Sequence, residues 1–408
     1  MTVGRGYIMN RSFLAADILL PKNADLEKWA VIACDQHTSD REYWNRVKEK
    51  AAGVPSALHM ILPEAGLESA TDETIAQINQ RMAEYLASGV FTTYDHAFVY
   101  VERTLQNGMI RQGILGAVDL EGYDNSPDTD APIRATEKTV IERIPPRVAV
   151  RKGAYLEFTH VILFCDDIEK QIVESVAAKR DTLPQLYSFD LMENGGHIAG
   201  WLVSGQDAQE LEQLLDVYEQ NHTYLVGDGN HSLVTAKRCY EDLKGIMPEE
   251  VRRSTPARYA LVELENIYSP SISFEPIYRI ITQTDPEKML EDLRKISADA
   301  GEEITWITQN GRGTIRLNVA EFDLVVGVLQ RFLDAWLQDN SGEIDYIHGE
   351  DALTQMAVKP NAVGFLLPEF VKGKLFPYIL SGRVLPRKTF SLGHGDEKRF
   401  YLEGRKIK

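Results

Sequence analysis

Apolar residues in this chain fall into two alternating kinds of run. Stretches dense in β-branched and aromatic residues, at Ala97–Arg103, Ile110–Leu120, Leu156–Phe164, His197–Val203, Thr223–Val226 and Arg258–Glu263, predict strands. Between and beyond them, apolar residues recur every three or four positions. That spacing predicts helices over Asp40–Ala52, Thr71–Ser88, Ile168–Lys179, Asp207–Gln220, Ser232–Leu243, Asp285–Ala298, Glu321–Gln338 and Asp351–Val358. An apolar run at Trp29–Cys34 ahead of a charged helix adds one further strand. Strands interleaved with helices define an α/β (α+β) class with mixed sheets and flanking helices.

Polar breaks divide the pattern. Gly122–Pro132 is rich in Asp, Asn and Pro, and Pro145-Pro146 follows, so a surface loop or lid is expected between Gly122 and Pro146. Ser269–Pro276 is a second break. A chain of 408 residues exceeds the roughly 250–300 at which one core stops growing. Three parts are expected, at 1–150, 151–270 and 271–408.

Composition narrows the function classes. With 44% apolar and 26% charged residues, the chain has the make-up of a folded globular protein. A net charge of −17 without a Lys/Arg stripe repels a phosphate backbone and argues against a nucleic-acid partner. Small ligands are expected instead, with a homodimer allowed. Cys34, Cys165 and Cys239 are far apart and lack CxxC spacing, so neither a disulfide framework nor a cysteine zinc site is indicated. Arg5, Arg11 and Asp17 interrupt the first twenty residues, and no run reaches the ~18 apolar residues of a spanning helix. A cytoplasmic, membrane-free location is expected.

The candidate chemistry centres on Gly227-Asp228-Gly229-Asn230-His231-Ser232, between the predicted strand Thr223–Val226 and the predicted helix from Ser232. A helix start offers unpaired N–H groups and a partial positive charge, and glycine lets backbone approach a phosphate closely. His231 adds a donor, and Asp228 can hold Mg²⁺ or orient a hydroxyl. An ordinary strand-to-helix turn capped by Ser232 or Asn230 explains the same string. So does an incomplete dinucleotide fingerprint, with Ser232 at the third glycine position and Glu263 or Glu265 as ribose ligand. Against that oxidoreductase reading, Asp228 would lie beside a pyrophosphate with no evident counter-ion. P-loop spacing is absent.

Tyr224–Lys237 also resembles the DGHHR element of the free-serine-kinase-like family of domains of unknown function. Further resemblance lies in Cys34-Asp35-Gln36, Pro55–Glu64, Ile133–Val140, Tyr187–Val203, Glu275–Arg279, Gly364–Pro368 and Leu385–Phe390, which together span most of the chain. The resemblance implies a nucleotide-binding core similar to the ParB and sulfiredoxin folds, completed by N- and C-terminal elements. It also implies ADP- or ATP-dependent phosphorylation of free L-serine or a similar small hydroxy or amino acid. Glu137, in the segment Ile133–Glu137, resembles the family's general base; on its residues alone it is a charge in a charged segment. Arg387, Lys388 and Thr389 resemble a segment lining the substrate pocket. Two positions depart from the family, Asn230 for a histidine and Ser232 for an arginine, and each removes a donor or a charge. Compensating cations are expected from Lys237, Arg134, Lys138 or Arg387-Lys388. A second reading of the same resemblance is a ParB-like nucleotide sensor, which needs no acceptor pocket.

The remaining candidates have plainer expectations. Asp35 is expected to cap the helix that starts near Ser39. His37, His59 and His160 lack paired metal spacing and read as structural or surface residues. A nucleophilic Cys34 would need a base, with His37 the nearest in sequence, and a buried small side chain is the expected role.

Overall fold

A computed structural model describes residues 11–38, 40–139, 144–386, 388–393 and 395–408. It is a mixed α/β structure built as two compact units, Met1–Ile272 with Gly395–Lys408, and Ser273–His394.

Among the described residues, the first unit carries a 13-stranded sheet. Its main path runs Tyr123–Asp124, Ile133–Ala135, Tyr224–Asp228, Val161–Cys165, Tyr259–Asn266, Ile110–Asp119, Phe91–Thr104, Ala16–Pro21, Gly404–Lys406, Leu156–Phe158. The 14-residue strand Phe91–Thr104 serves two sets of partners. Its first half pairs with Ala16–Pro21, and its second half lies between Ile110–Asp119 and His197–Val203. His96, with φ at 45°, marks the changeover, opposite a register shift between Ala16 and Ile18. Such an irregularity re-aims a strand. A separate two-stranded ladder pairs Val31–Ile32 with Phe400–Tyr401.

Helices cover this sheet with the faces that the periodicity predicts. Arg41–Lys50 buries Tyr43, Trp44 and Val47, and Asp40 caps it by accepting from the Tyr43 N–H at 3.0 Å. Asp72–Ala87 begins with a reciprocal Thr71–Thr74 capping box. Ile144–Gly153 takes Pro145 and Pro146 in its first turn, where a missing N–H leaves no bond unmade. One core cluster packs around Trp29, Val31, Leu156 and Phe400, a second around Leu163, Tyr224, Val226 and Leu233.

Among the described residues, the second unit carries a six-stranded antiparallel sheet, in the order Gly311–Leu317, Ser297–Thr308, Val363–Leu366, Phe274–Thr282, Glu343–His348, with Phe390–Leu392 on the start of Phe274–Thr282. The helix expected over Asp285–Ala298 spans only Pro286–Arg294, and Ser297 already opens a strand. That strand forms a hairpin with Gly311–Leu317 through the two-residue turn Gln309-Asn310 and also pairs with Val363–Leu366, and this pairing outweighs the short apolar periodicity before it.

Candidate functional site

The turn singled out in the sequence sits at the C-terminal end of a buried strand. Tyr224, Leu225 and Val226 are fully buried, and Gly227 follows where a Cβ would collide with the Phe164 ring. Gly229 then adopts the left-handed conformation, φ 79°, and the 15-residue helix Asn230–Lys244 starts immediately. Its opening N–H groups have no carbonyl a turn earlier to pair with. They are those of Asn230, His231 and Ser232.

Neighbouring strands deliver further groups to the same end of the sheet. Ile133–Ala135 runs parallel to Tyr224–Asp228, with Ala135 opposite Val226, so two residues further on Glu137 and Asp228 leave adjacent strands together. Adjacent strands lie about 4.8 Å apart. Thr136 ties the two segments. Its hydroxyl donates to the Val226 carbonyl at 2.6 Å, its N–H donates to Asn230 Oδ1 at 3.2 Å, and Asn230 Nδ2 donates to its hydroxyl at 3.2 Å. Asn230 is thus a buried brace. Glu137, His231 and Ser232 are each half-buried.

On the other side, Val161–Cys165 runs antiparallel to Tyr224–Asp228, so its first residues also reach this end. His160, just before it, lies against Gly229. The Val31–Ile32 and Phe400–Tyr401 ladder likewise brings Cys34 and Asp35 to the end from which Lys398 emerges. Asp228 Oδ1 accepts from the Gly229 N–H at 2.9 Å, while Oδ2 pairs with Lys398 Nζ at 3.0 Å. Asp35 pairs with His160 Nε2 at 3.3 Å, and His160 Nδ1 lies 2.5 Å from the Tyr401 hydroxyl. That hydroxyl donates to Cys34 Sγ at 3.2 Å and accepts from the Cys34 N–H at 3.1 Å. Burial disfavours an ionised Asp35, but His160, Gln36 and Lys398 more than offset it and hold the carboxyl well below the usual range. Burial likewise opposes a charged His160, and Asp35 overrides it, raising the imidazole well above its ordinary value.

Beside this cluster, at the first turn of Asn230–Lys244, lies a cavity of about 170 Å³. Cys34, His160, Tyr401 and Ser232 contribute to its wall, with an apolar lining that includes Met60, Leu62 and Phe158. Arg147 and Arg151 also face it, paired with Glu64 and Glu157 respectively.

Several expectations change. Asp35 does not cap the helix near Ser39, since Asp40 does; Ser39 itself lies outside the described residues. Asp35 turns instead to His160. His37 stacks on Tyr43 with ring centroids 3.7 Å apart and is not the group beside Cys34 Sγ. The dinucleotide reading fails on topology. Tyr259–Asn266 is separated from Tyr224–Asp228 by Val161–Cys165 and runs antiparallel to it, so no parallel βαβ unit exists there. Glu263 is buried against Arg399 at 2.7 Å, and Glu265 is wholly buried. Lys237 and Arg134, expected as compensating cations, are engaged locally, with the Leu120 carbonyl and Glu241 and with the Ala131 carbonyl. A cation that does pair at the turn is Lys398, 170 residues from Asp228 in sequence, which no local pattern reveals.

Lys388 and Thr389 belong to the second unit; Arg387 lies outside the described residues. Lys388 is exposed at φ 56°, and the buried Thr389 donates its hydroxyl to the Pro386 carbonyl at 2.7 Å. Among the described residues no group of three or more His, Cys, Asp and Glu gathers to hold a metal ion. No described helix is long and apolar enough to cross a membrane.

A family model described as a protein of unknown function, DUF1015, matches residues 17–355. The chain belongs to this family. No curated protein matches it in sequence. Among solved structures it is similar to a free serine kinase mutant in complex with AMP, at 14% identity and a TM-score of 0.38, over 72% of this chain and 90% of that one. A free serine kinase mutant in complex with ADP matches at 13% identity and 0.37, over 72% and 91%. C-terminally truncated SbnI from Staphylococcus aureus matches at 9% and 0.36, over 68% and 82%.

Proposed function

We propose that this member of the family is a nucleotide-dependent phosphotransferase, with ADP or ATP as donor and the hydroxyl of free L-serine or a similar small hydroxy or amino acid as acceptor. The observation that supports the reading is that Glu137 and Asp228 follow paired residues of adjacent parallel strands, with Lys398 paired to Asp228, just ahead of one helix start. On this reading the amides of Asn230, His231 and Ser232, with the helix dipole and the His231 side chain, bind the phosphates. Lys398 supplies positive charge that Ser232 cannot. Glu137 accepts the hydroxyl proton as the acceptor oxygen approaches phosphorus, in a reaction where positioning and charge neutralisation supply most of the acceleration. Asp228 Oδ2, which already faces an ammonium, suits a cation. Asp228 would be the protein's share of a Mg²⁺ site otherwise made by nucleotide phosphates and water, and the ion would neutralise phosphate charge.

The test is a thermal-shift series with ADP, ATP, CTP and NAD, with and without L-serine, followed by mass-spectrometric detection of O-phosphoserine. ADP or ATP should raise the melting temperature by mass action. Glu137→Gln should keep that shift and lose about 100-fold or more in turnover. Lys398→Met should lose about 1.5–3 kcal/mol of nucleotide binding, the worth of a charged hydrogen bond. Absence of a shift with every nucleotide overturns the reading, and a shift without phosphoserine leaves a nucleotide sensor in its place.

A further inference from the structure

The phosphotransferase reading uses Asp228 and Glu137 and leaves the neighbouring cluster of Cys34, Asp35, His160 and Tyr401 without a task. The chain has three cysteines, all free thiols. Cys165 is fully buried, and Cys239 is half-buried on the helix Asn230–Lys244. Cys34 differs from both, because its sulfur meets a hydroxyl that a histidine–carboxylate pair supports, and because it lines a cavity.

We infer that Cys34 is a nucleophilic modification site, organised by Tyr401, His160 and Asp35, that takes a small and largely apolar carbon electrophile from the adjoining cavity. Three observations converge on it. The Tyr401 hydroxyl donates to Cys34 Sγ at 3.2 Å, the bond a thiolate accepts most strongly. His160 Nδ1 lies 2.5 Å from the same hydroxyl and its Nε2 3.3 Å from Asp35, so a protonated imidazole can donate through Tyr401 toward the sulfur. The cavity of about 170 Å³ is walled by Met60, Leu62, Met82, Leu156 and Phe158, which suits a compact apolar body. The first turn of Asn230–Lys244 also reaches this wall, at Ser232. With a conjugated carbonyl compound the step balances internally. The sulfur pair forms a bond to the β-carbon, the alkene pair moves toward the carbonyl oxygen, and the α-carbon takes the proton that the thiol gave up.

The probe is N-ethylmaleimide on the full chain without nucleotide, with labelling rates of Cys34, Cys239 and Cys165 read from their peptides by mass spectrometry. Cys34 should react at least about tenfold faster than Cys239. Tyr401→Phe keeps the ring and removes the hydroxyl; it should slow Cys34 about tenfold and leave Cys239 unchanged. A thiolate absorbance in the wild type minus Cys34→Ser difference spectrum, lost in Tyr401→Phe, separates activation from mere access. If Cys34 in the folded wild type reacts no faster than Cys239, or if Tyr401→Phe folds and labels like the wild type, the inference is wrong. Neither result bears on nucleotide binding.

Discussion

At Gly229 two separate demands fall on one residue. The backbone is left-handed, and a methyl group there would sit 3.0 Å from His160 Cδ2 and 3.1 Å from Val161 Cα. Gly205, at φ 58°, shares the first demand and has nothing within 4 Å of its virtual Cβ. Gly205→Ala should therefore cost about 1–2 kcal/mol, the left-handed penalty alone. Gly229→Ala should exceed it by roughly 1–3 kcal/mol, because His160 or a backbone segment must shift in a packed interior. Urea unfolding of both variants measures the difference, and equal losses would mean that the contact with His160 is slack. The two glycines and the polar residues after them are legible in sequence because turn chemistry is local. Lys398 and His160 are not, because strand pairing brings them in from distant positions.

Element by element, legibility follows how local the determining signal is. Helices with one apolar face, such as Asp72–Ala87 and Asn230–Lys244, lie close to where periodicity predicts them. Leu156–Phe164 reads as one strand because its apolar run is nearly continuous, yet it is two. Leu156–Phe158 pairs with Gly404–Lys406, whereas Val161–Cys165 pairs with Tyr224–Asp228 and Tyr259–Asn266. The break between them is what sets His160 against the turn, and periodicity cannot show it. The brace between Thr136 and Asn230 is equally non-local, joining residues 94 apart. Asn230→Ala would leave the buried Thr136 N–H without that acceptor and should cost about 1–3 kcal/mol. Denaturant midpoints at unchanged slope would report it. A loss below about 0.5 kcal/mol would show that the brace adds little to the parallel strand pair.

Across the molecule, an excess of acidic residues coexists with buried ion pairs that no composition reveals. Arg103, Arg111 and Arg399 are buried in the first unit with Glu263, Glu265 and Glu403. Arg399 bridges Glu263 at 2.7 Å and Glu403 at 2.5 Å, whereas among the described residues the ion-pair partner of Glu265 is Arg111, at 3.9 Å. Burial therefore dominates at Glu265 and pushes its carboxyl from an ordinary 4.5 up to about 8, against the pull of Arg111. Between those values the folded chain keeps a proton on Glu265 that the unfolded chain has released. Its contribution to stability is then complete below about pH 4.5 and is lost as pH rises toward 8. Glu265→Gln removes the titration while keeping the shape, and the other titrating groups cancel when variant and wild type are compared at each pH. From about pH 5 the variant should gain on the wild type at up to about 1.4 kcal/mol per pH unit, on the order of 4 kcal/mol in all, and level off above about pH 8. Chemical denaturation at several pH values reads the slope directly. A flat difference would mean that Glu265 is ionised in the folded protein, with the arginine cluster supplying more compensation than a 3.9 Å separation suggests.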